Sequence, residues 1–86
     1  MTVSEQAAAM LDYLLAHVVQ RPNIELTADT SLVASGLVDS FALVDVLAKL
    51  EHVTNMRIPA GKVQLKDMDT VTRMLQTAKR VGTPRR

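Results

Sequence analysis

Apolar residues recur at helical spacing in three separate stretches of a chain that has only 86 residues. The stretches are residues 3–19, 40–54 and about 69–80, and each is as long as an ordinary globular helix. A chain of this size holds one small domain, so the three helices have to pack against one another. The side chains predicted to face the core are those at 3, 7, 10, 11, 14, 15 and 18 in the first stretch, Leu43, Val46, Leu47, Leu50 and Val53 in the second, and Val71, Met74, Leu75 and Ala78 in the third.

The ends of these helices carry local capping signals. Thr2 and Glu5 are spaced as a capping box before the first helix, and Pro22 is predicted to end it. Asp67 and Asp69 are predicted to cap the last helix, which begins at Asp69 or at the residue after it.

The connections between the helices differ in length. Residues 21–39 form a long loop, and loops of that length are usually functional or pinned by their own side chains. A short third helical turn is predicted near residues 60–65, although Gly61 inside it weakens the helical tendency. We expect a single domain over residues 1–80, followed by a flexible basic tail at 81–86. The side chains expected to pin the long loop are Ile24, Leu26, Leu32, Val33 and Leu37.

The hexapeptide from Gly36 to Phe41 places a serine hydroxyl where the polar loop gives way to the second helix. Asp39 or Ser40 can accept hydrogen bonds from the first free amides of that helix. The same amides and the helix dipole favour an anion there, such as a phosphodiester carried on the serine. From these residues alone, Ser40 is either a helix cap or the attachment point of a phosphorylated group.

Five short motifs follow one another along the chain: Leu32 with Ser35-Gly36-Leu37, Asp39-Ser40-Phe41, Leu50-Glu51, Ile58-Pro59 and Asp69-Thr70-Val71. In this order, and in a chain of this length, they resemble the landmarks of the acyl and peptidyl carrier proteins. The second motif is similar to the Asp-Ser-Leu sequence at which that family attaches its prosthetic group. The resemblance covers roughly residues 3–78, which is nearly the whole chain.

The resemblance implies an all-α fold, a small four-helix bundle with three longer helices, a short third helix and a long loop between helices one and two. It implies that a phosphopantetheinyl transferase uses coenzyme A to place 4′-phosphopantetheine on Ser40. Gly36, Leu37 and Asp39 would flank the site, with Asp39 helping to position the serine and the Mg²⁺ of the transferase. Cargo would ride on the thiol of this arm as a thioester, so the chain would be a carrier and not an enzyme. Because the chain contains no cysteine, any thiol has to be added to it.

Phe41, Val44 and Ala48 follow one another at spacings of three and four, so they share one face of the second helix, away from its core stripe. The resemblance implies that this region contacts partner proteins, namely the transferase, an adenylating enzyme or acyltransferase that loads the cargo, and downstream biosynthetic enzymes. The alternative is that Phe41 folds back onto the loop and contacts no partner. The residues assigned to partner recognition are Phe41, Val44, Asp45, Ala48 and Glu51.

Several other classes of protein are disfavoured by the sequence. The G-x-S-x-G motif of serine hydrolases is absent, because Ala42 stands where its second glycine belongs. A nucleic-acid recognition helix needs basic residues, yet residues 40–54 hold one lysine and two acidic residues. His17 and His52 are not spaced with carboxylates as metal ligands. Neither a signal peptide nor a stretch of 18 apolar residues is present, so we expect a cytoplasmic protein without membrane contact. The small size and the polarity of the chain are typical of a monomer, and we expect one.

Departures from the family pattern indicate which kind of cargo the chain would carry. The formal net charge is +1, whereas many fatty-acid carriers are strongly acidic. Thr54 and Met68 stand where the resemblance would place aromatic residues, so an acyl-chain pocket is not implied. We therefore expect a discrete carrier of a specialised pathway, with aminoacyl or secondary-metabolite cargo. A fatty-acyl or polyketide carrier is the alternative, and an unmodified carrier-like protein that acts only as a structural partner is a third hypothesis.

Overall fold

The computed structural model describes residues 2–19 and 25–84 and confirms the predicted helical fold. Three α-helices are present in this part of the chain: α1 is Val3–Tyr13, α2 is Ala42–Thr54 and α3 is Val71–Val81. Between α2 and α3 lie two 3₁₀ turns, Ala60–Lys62 and Leu65–Met68, in place of one short third helix. None of the described helices is long and apolar enough to cross a membrane.

The first helix begins at the predicted capping box and changes its geometry in its second half. The Glu5 N–H donates to Thr2 Oγ1 at 3.1 Å, and the Thr2 N–H donates to Glu5 Oε1 at 3.0 Å. After Tyr13 the helix continues as a π-helical segment, Leu14–Val19. Leu14 and Val19 are both buried and lie five residues apart, which is the repeat of a π-helix. The wider turn therefore keeps both side chains in the core, and the predicted stop at Pro22 lies outside the described residues.

The core lies between α1, α2 and α3, which all contact one another. Two residues of the long loop, Leu32 and Val38, are buried with the helical side chains. Leu32 was predicted to pin the loop and does so, whereas Leu26, Val33 and Leu37 are half-buried and Ile24 lies outside the described residues. The fully buried side chains of the core include Met10, Leu14, Val46, Leu50, Val71 and Met74.

The start of α3 differs from the prediction in its cap. The side chain of Thr70 caps the helix, since Thr70 Oγ1 accepts a hydrogen bond from the Arg73 N–H at 3.0 Å. Asp67 instead accepts from the Gln64 N–H at 2.9 Å and forms an ion pair with Arg80 at 3.4 Å. The prediction that Asp67 caps the last helix is therefore wrong, because this carboxylate holds the second 3₁₀ turn against α3.

The structure describes residues 81–84 of the segment that was predicted to be a flexible tail. Val81 is the last residue of α3, and Thr83–Pro84 (β2) pairs with Met56–Arg57 (β1) in a two-residue antiparallel ladder. At Gly82 a Cβ atom would collide with the Ala78 carbonyl oxygen and approach Met56, so the chain passes close to both. Residues 81–84 are thus tied to the chain that follows α2, and Arg85 and Arg86 lie outside the described residues.

Candidate functional site

Ser40 lies in the exposed turn that leads into α2, and its neighbour provides the helix cap. Asp39 Oδ1 accepts a hydrogen bond from the Ala42 N–H at 2.8 Å. The Ser40 hydroxyl donates no hydrogen bond to, and accepts none from, another residue of the described parts of the chain. Of the two predicted capping candidates, Asp39 is therefore the cap, and the Ser40 hydroxyl is left accessible.

The segment before Ser40 is built around a tight turn. The Gly36 N–H donates to the Val33 carbonyl at 3.1 Å, and Gly36 has a φ of 81°, a left-handed conformation that favours glycine. Beyond it Leu37 is half-buried and Val38 is buried, and the Val38 N–H donates to the Leu32 carbonyl at 2.9 Å. Gly36 thus reverses the chain so that Val38 can reach the core two residues before Ser40.

Asp69 binds the loop ahead of this turn. Its Oδ1 atom accepts from the Val33 N–H at 2.9 Å and from the Ala34 N–H at 3.0 Å, and the Ser31 hydroxyl lies 3.0 Å from both carboxylate oxygens. The Ala34 N–H, together with Ser31 and Val33, holds the pKa of Asp69 below its usual range, against the partial burial that would raise it. The prediction that Asp69 caps α3 is wrong, because its carboxylate is turned to the long loop.

The side chains predicted to contact partners divide into an exposed group and one that is held internally. Phe41 is 91% exposed and Val44 is 72% exposed, and Asp45 and Ala48 are also exposed. Phe41 therefore does not fold back onto the loop. Glu51 is half-buried, and its Oε2 atom accepts from the Ile58 N–H at 2.8 Å. Glu51 thus fastens the chain after α2 to the end of that helix, and its predicted contact with partners stays a prediction.

An open apolar groove of about 230 Å³ runs beside Ser40, between α2 and the two 3₁₀ turns. Sequence reasoning missed this groove, since its walls come from segments that are distant in sequence. One signal was available, because Val63 and Leu65 are apolar residues in an otherwise polar stretch, and Leu65 is 56% exposed. The groove is lined by Ser40, Leu43, Val44, Leu47, Ala60, Val63, Gln64, Leu65 and Met68.

Within residues 2–19 and 25–84, no group of three or more His, Asp or Glu residues lies close enough together to hold a metal ion. The His17 ring packs against the Tyr13 ring in a tilted arrangement, with ring centroids 5.4 Å apart, and His52 is exposed on α2. Neither histidine forms a hydrogen bond with Ser40 in the described parts of the chain, so neither is placed to act as a general base for its hydroxyl.

A model of the family described as "Phosphopantetheine attachment site" matches residues 12–77. The chain belongs to this family. Its prosthetic group is 4′-phosphopantetheine, and an accessible serine hydroxyl at a helix start, beside an apolar groove, fits such a group. No curated protein and no solved structure is significantly similar to the chain.

Proposed function

We propose that this protein is a carrier whose 4′-phosphopantetheine arm is attached to Ser40 Oγ. The sequence has four serines, and the family match over residues 12–77 includes Ser31, Ser35 and Ser40. The Ser31 hydroxyl is bound to Asp69, and the Ser35 hydroxyl donates to the Ser31 carbonyl at 2.6 Å. The observation that carries the proposal is that Ser40 is the serine of this span whose hydroxyl is exposed and makes no hydrogen bond with a described residue.

The residues around Ser40 suit a phosphodiester. Asp39 accepts the hydrogen bond of the Ala42 amide, so the Ser40 hydroxyl oxygen is not needed to cap the helix. The N-terminal end of α2, a helix of 13 residues, carries a partial positive charge that favours an attached phosphate. When bound, the prosthetic group supplies a terminal thiol on a flexible arm, to which cargo is joined as a thioester.

The exposed residues next to this site, in the first turns of α2 and just before them, are proposed as the docking face, which we define as Phe41, Val44, Asp45 and Ala48. Large exposed apolar side chains that become buried at an interface are typical anchors of binding energy. The face carries a single carboxylate, so its partners need only a limited basic surface. The proposed partners are a phosphopantetheinyl transferase, a loading enzyme of the adenylating or acyltransferase type, and downstream biosynthetic enzymes.

The class of cargo remains a proposal with two branches. The near-neutral charge of the chain supports a discrete carrier in a specialised pathway, with aminoacyl or secondary-metabolite cargo. The groove beside Ser40 favours the second branch, a fatty-acyl or polyketide carrier, because its walls are almost entirely apolar. Both branches leave the chemistry to separate enzymes and give this chain the role of presenting the cargo.

The test of the proposal is intact mass spectrometry after incubation with coenzyme A, Mg²⁺ and a broad-specificity phosphopantetheinyl transferase. We expect one phosphopantetheine group on the wild type and on Ser35→Ala, which is the matched control, and none on Ser40→Ala. Modification of Ser40→Ala would refute the assigned position. A folded wild type that stays unmodified would favour the hypothesis of an unmodified structural partner.

A further inference from the structure

All four residues from Ser31 to Ala34 are bonded to Asp69, which lies more than 30 positions further along the chain. The carboxylate binds the Ser31 hydroxyl and the amides of Val33 and Ala34, as described above. The backbone adds a fourth link, because the Leu32 N–H donates to the Asp69 carbonyl oxygen at 2.7 Å. Asp69 thus binds every residue of this part of the long loop, which the buried Leu32 side chain also pins to the core.

The fixed segment is connected directly to the turn that presents Ser40. The Leu32 carbonyl accepts from the Val38 N–H, and both Leu32 and Val38 are buried. Two residues of extended chain span at most about 7 Å, so Ser40 cannot move far from a fixed Val38. On the other side, Asp39 ties the turn to the first amide of α2. The turn that presents Ser40 is therefore held on its N-terminal side by Asp69, through residues 31–34, and on its C-terminal side by Asp39.

Asp69 is itself held in place by the helix that follows it. The cap of α3 is formed by Thr70, and Val71 and Met74 in its first turns are fully buried. The Thr72 N–H also donates to the Ala28 carbonyl at 2.9 Å, which joins α3 to the same loop. A carboxylate on a fixed helix start is a rigid support, and hydrogen bonds to a charged acceptor are roughly twice as strong as neutral ones.

We propose that Asp69 is a positioning residue for the attachment of the prosthetic group to Ser40. It does not touch Ser40, and it acts by holding residues 31–34 so that the presenting turn stays in the conformation that a transferase recognises. This inference rests on the proposed function of Ser40. Without the Asp69 carboxylate the turn samples other positions, and the apparent affinity of the transferase falls in proportion to the competent fraction.

The test compares transferase kinetics on the wild type, Asp69→Ala, Asp69→Asn and Thr2→Ala, all at a temperature where each variant is folded. For Asp69→Ala we expect the KM for the carrier to rise about tenfold while kcat stays near the wild-type value, which corresponds to a competent fraction near one tenth. Asp69→Asn keeps a carbonyl oxygen for the two amides but loses the charge, so its KM is expected to rise only about threefold. Thr2→Ala is the matched control, since it removes a threonine cap from α1, which makes no hydrogen bond to residues 31–34 or to Asp69 in the described parts of the chain, and its KM is expected to match the wild type.

A spectroscopic measurement separates positioning from a general loss of stability. The amide resonances of Val33 and Ala34 are expected to shift in both Asp69 variants and to stay in place in Thr2→Ala. An unmodified wild type would refute the proposed function, whatever the Asp69 variants do. A modified wild type with an unchanged KM in Asp69→Ala would overturn the role of Asp69 alone. If Asp69→Ala does not fold, a wild-type KM in Asp69→Asn would overturn it equally.

Discussion

Replacing Phe41 by alanine tests the docking face most directly, because this side chain is 91% exposed in the free protein. It contributes little to folding, so the free energy of unfolding is expected to change by less than about 0.5 kcal/mol. Burying such a side chain against a partner is worth about 1.5–3 kcal/mol. Its loss is therefore expected to raise the KM of the transferase for the carrier by about 10- to 100-fold, since every 1.4 kcal/mol is tenfold.

The assay measures modification rates over a range of carrier concentrations, with circular dichroism and urea unfolding on the same samples. The chain offers a matched pair of exposed valines as a control, because Val44 is 72% exposed beside Ser40 and Val3 is 69% exposed at the start of α1. Val44→Ala is expected to raise the KM about tenfold, from two lost methyl contacts at about 0.8 kcal/mol each. Val3→Ala removes the same atoms from a different surface and is expected to leave the KM unchanged.

Two results would refute this reasoning. A large loss of unfolding free energy in Phe41→Ala would show that the side chain packs within the folded protein. Equal KM values for Val44→Ala and Val3→Ala, with a folded and active wild type, would show that partners do not approach over the exposed face of α2.

The remaining predictions concern stability. Leu50 is fully buried between the helices, so Leu50→Ala is expected to lower the free energy of unfolding by about 2–5 kcal/mol, as read from urea denaturation, and an unchanged midpoint would contradict the core assignment. Because the pKa of Asp69 is lowered in the folded protein, its stabilising contribution is complete above the unfolded value near 3.9 and is lost as the pH falls through the lower folded value. Urea unfolding from neutral pH to about pH 3 is therefore expected to show a steeper loss of stability in the wild type than in Asp69→Asn. If the free energy of unfolding falls equally steeply with pH in the wild type and in Asp69→Asn, the loop is not held by an ionised Asp69.

The parts of the fold that depend on neighbouring residues could be predicted from the sequence. The apolar spacing of Val46, Leu50 and Val53 placed α2, and all three are buried. The capping box of Thr2 and Glu5 is a local signal and is present as expected. Of the core positions predicted in the first stretch, Val3 and Leu15 are wrong because both are exposed. Val18 does pack against the core, but the burial of Val19 in the π-helical segment was not predicted.

The errors arose where a local rule competed with a long-range contact. An aspartate just before a helix is usually a cap, but Asp69 binds amides 35 and 36 positions away while Thr70 takes its place. The hydrogen bond from the Ile58 amide to Glu51 was likewise not predicted, because it joins α2 to the chain that follows it. The motif around Ser40 predicted that this serine is the attachment residue. Only the folded geometry shows that its hydroxyl makes no hydrogen bond with a described residue, whereas the hydroxyls of Ser31 and Ser35 are bonded.

The ladder between Met56–Arg57 and Thr83–Pro84 determines from which side of the molecule a fused segment would leave. Met56 follows the C-terminal end of α2, and a helix of 13 residues is about 20 Å long, so the ladder lies at the opposite end of α2 from Ser40. A linker joined after Pro84 would therefore start remote from Ser40, the proposed attachment residue. The protein could be immobilised on a bead or a sensor surface through such a linker, with Ser40 and Phe41 still facing the solution.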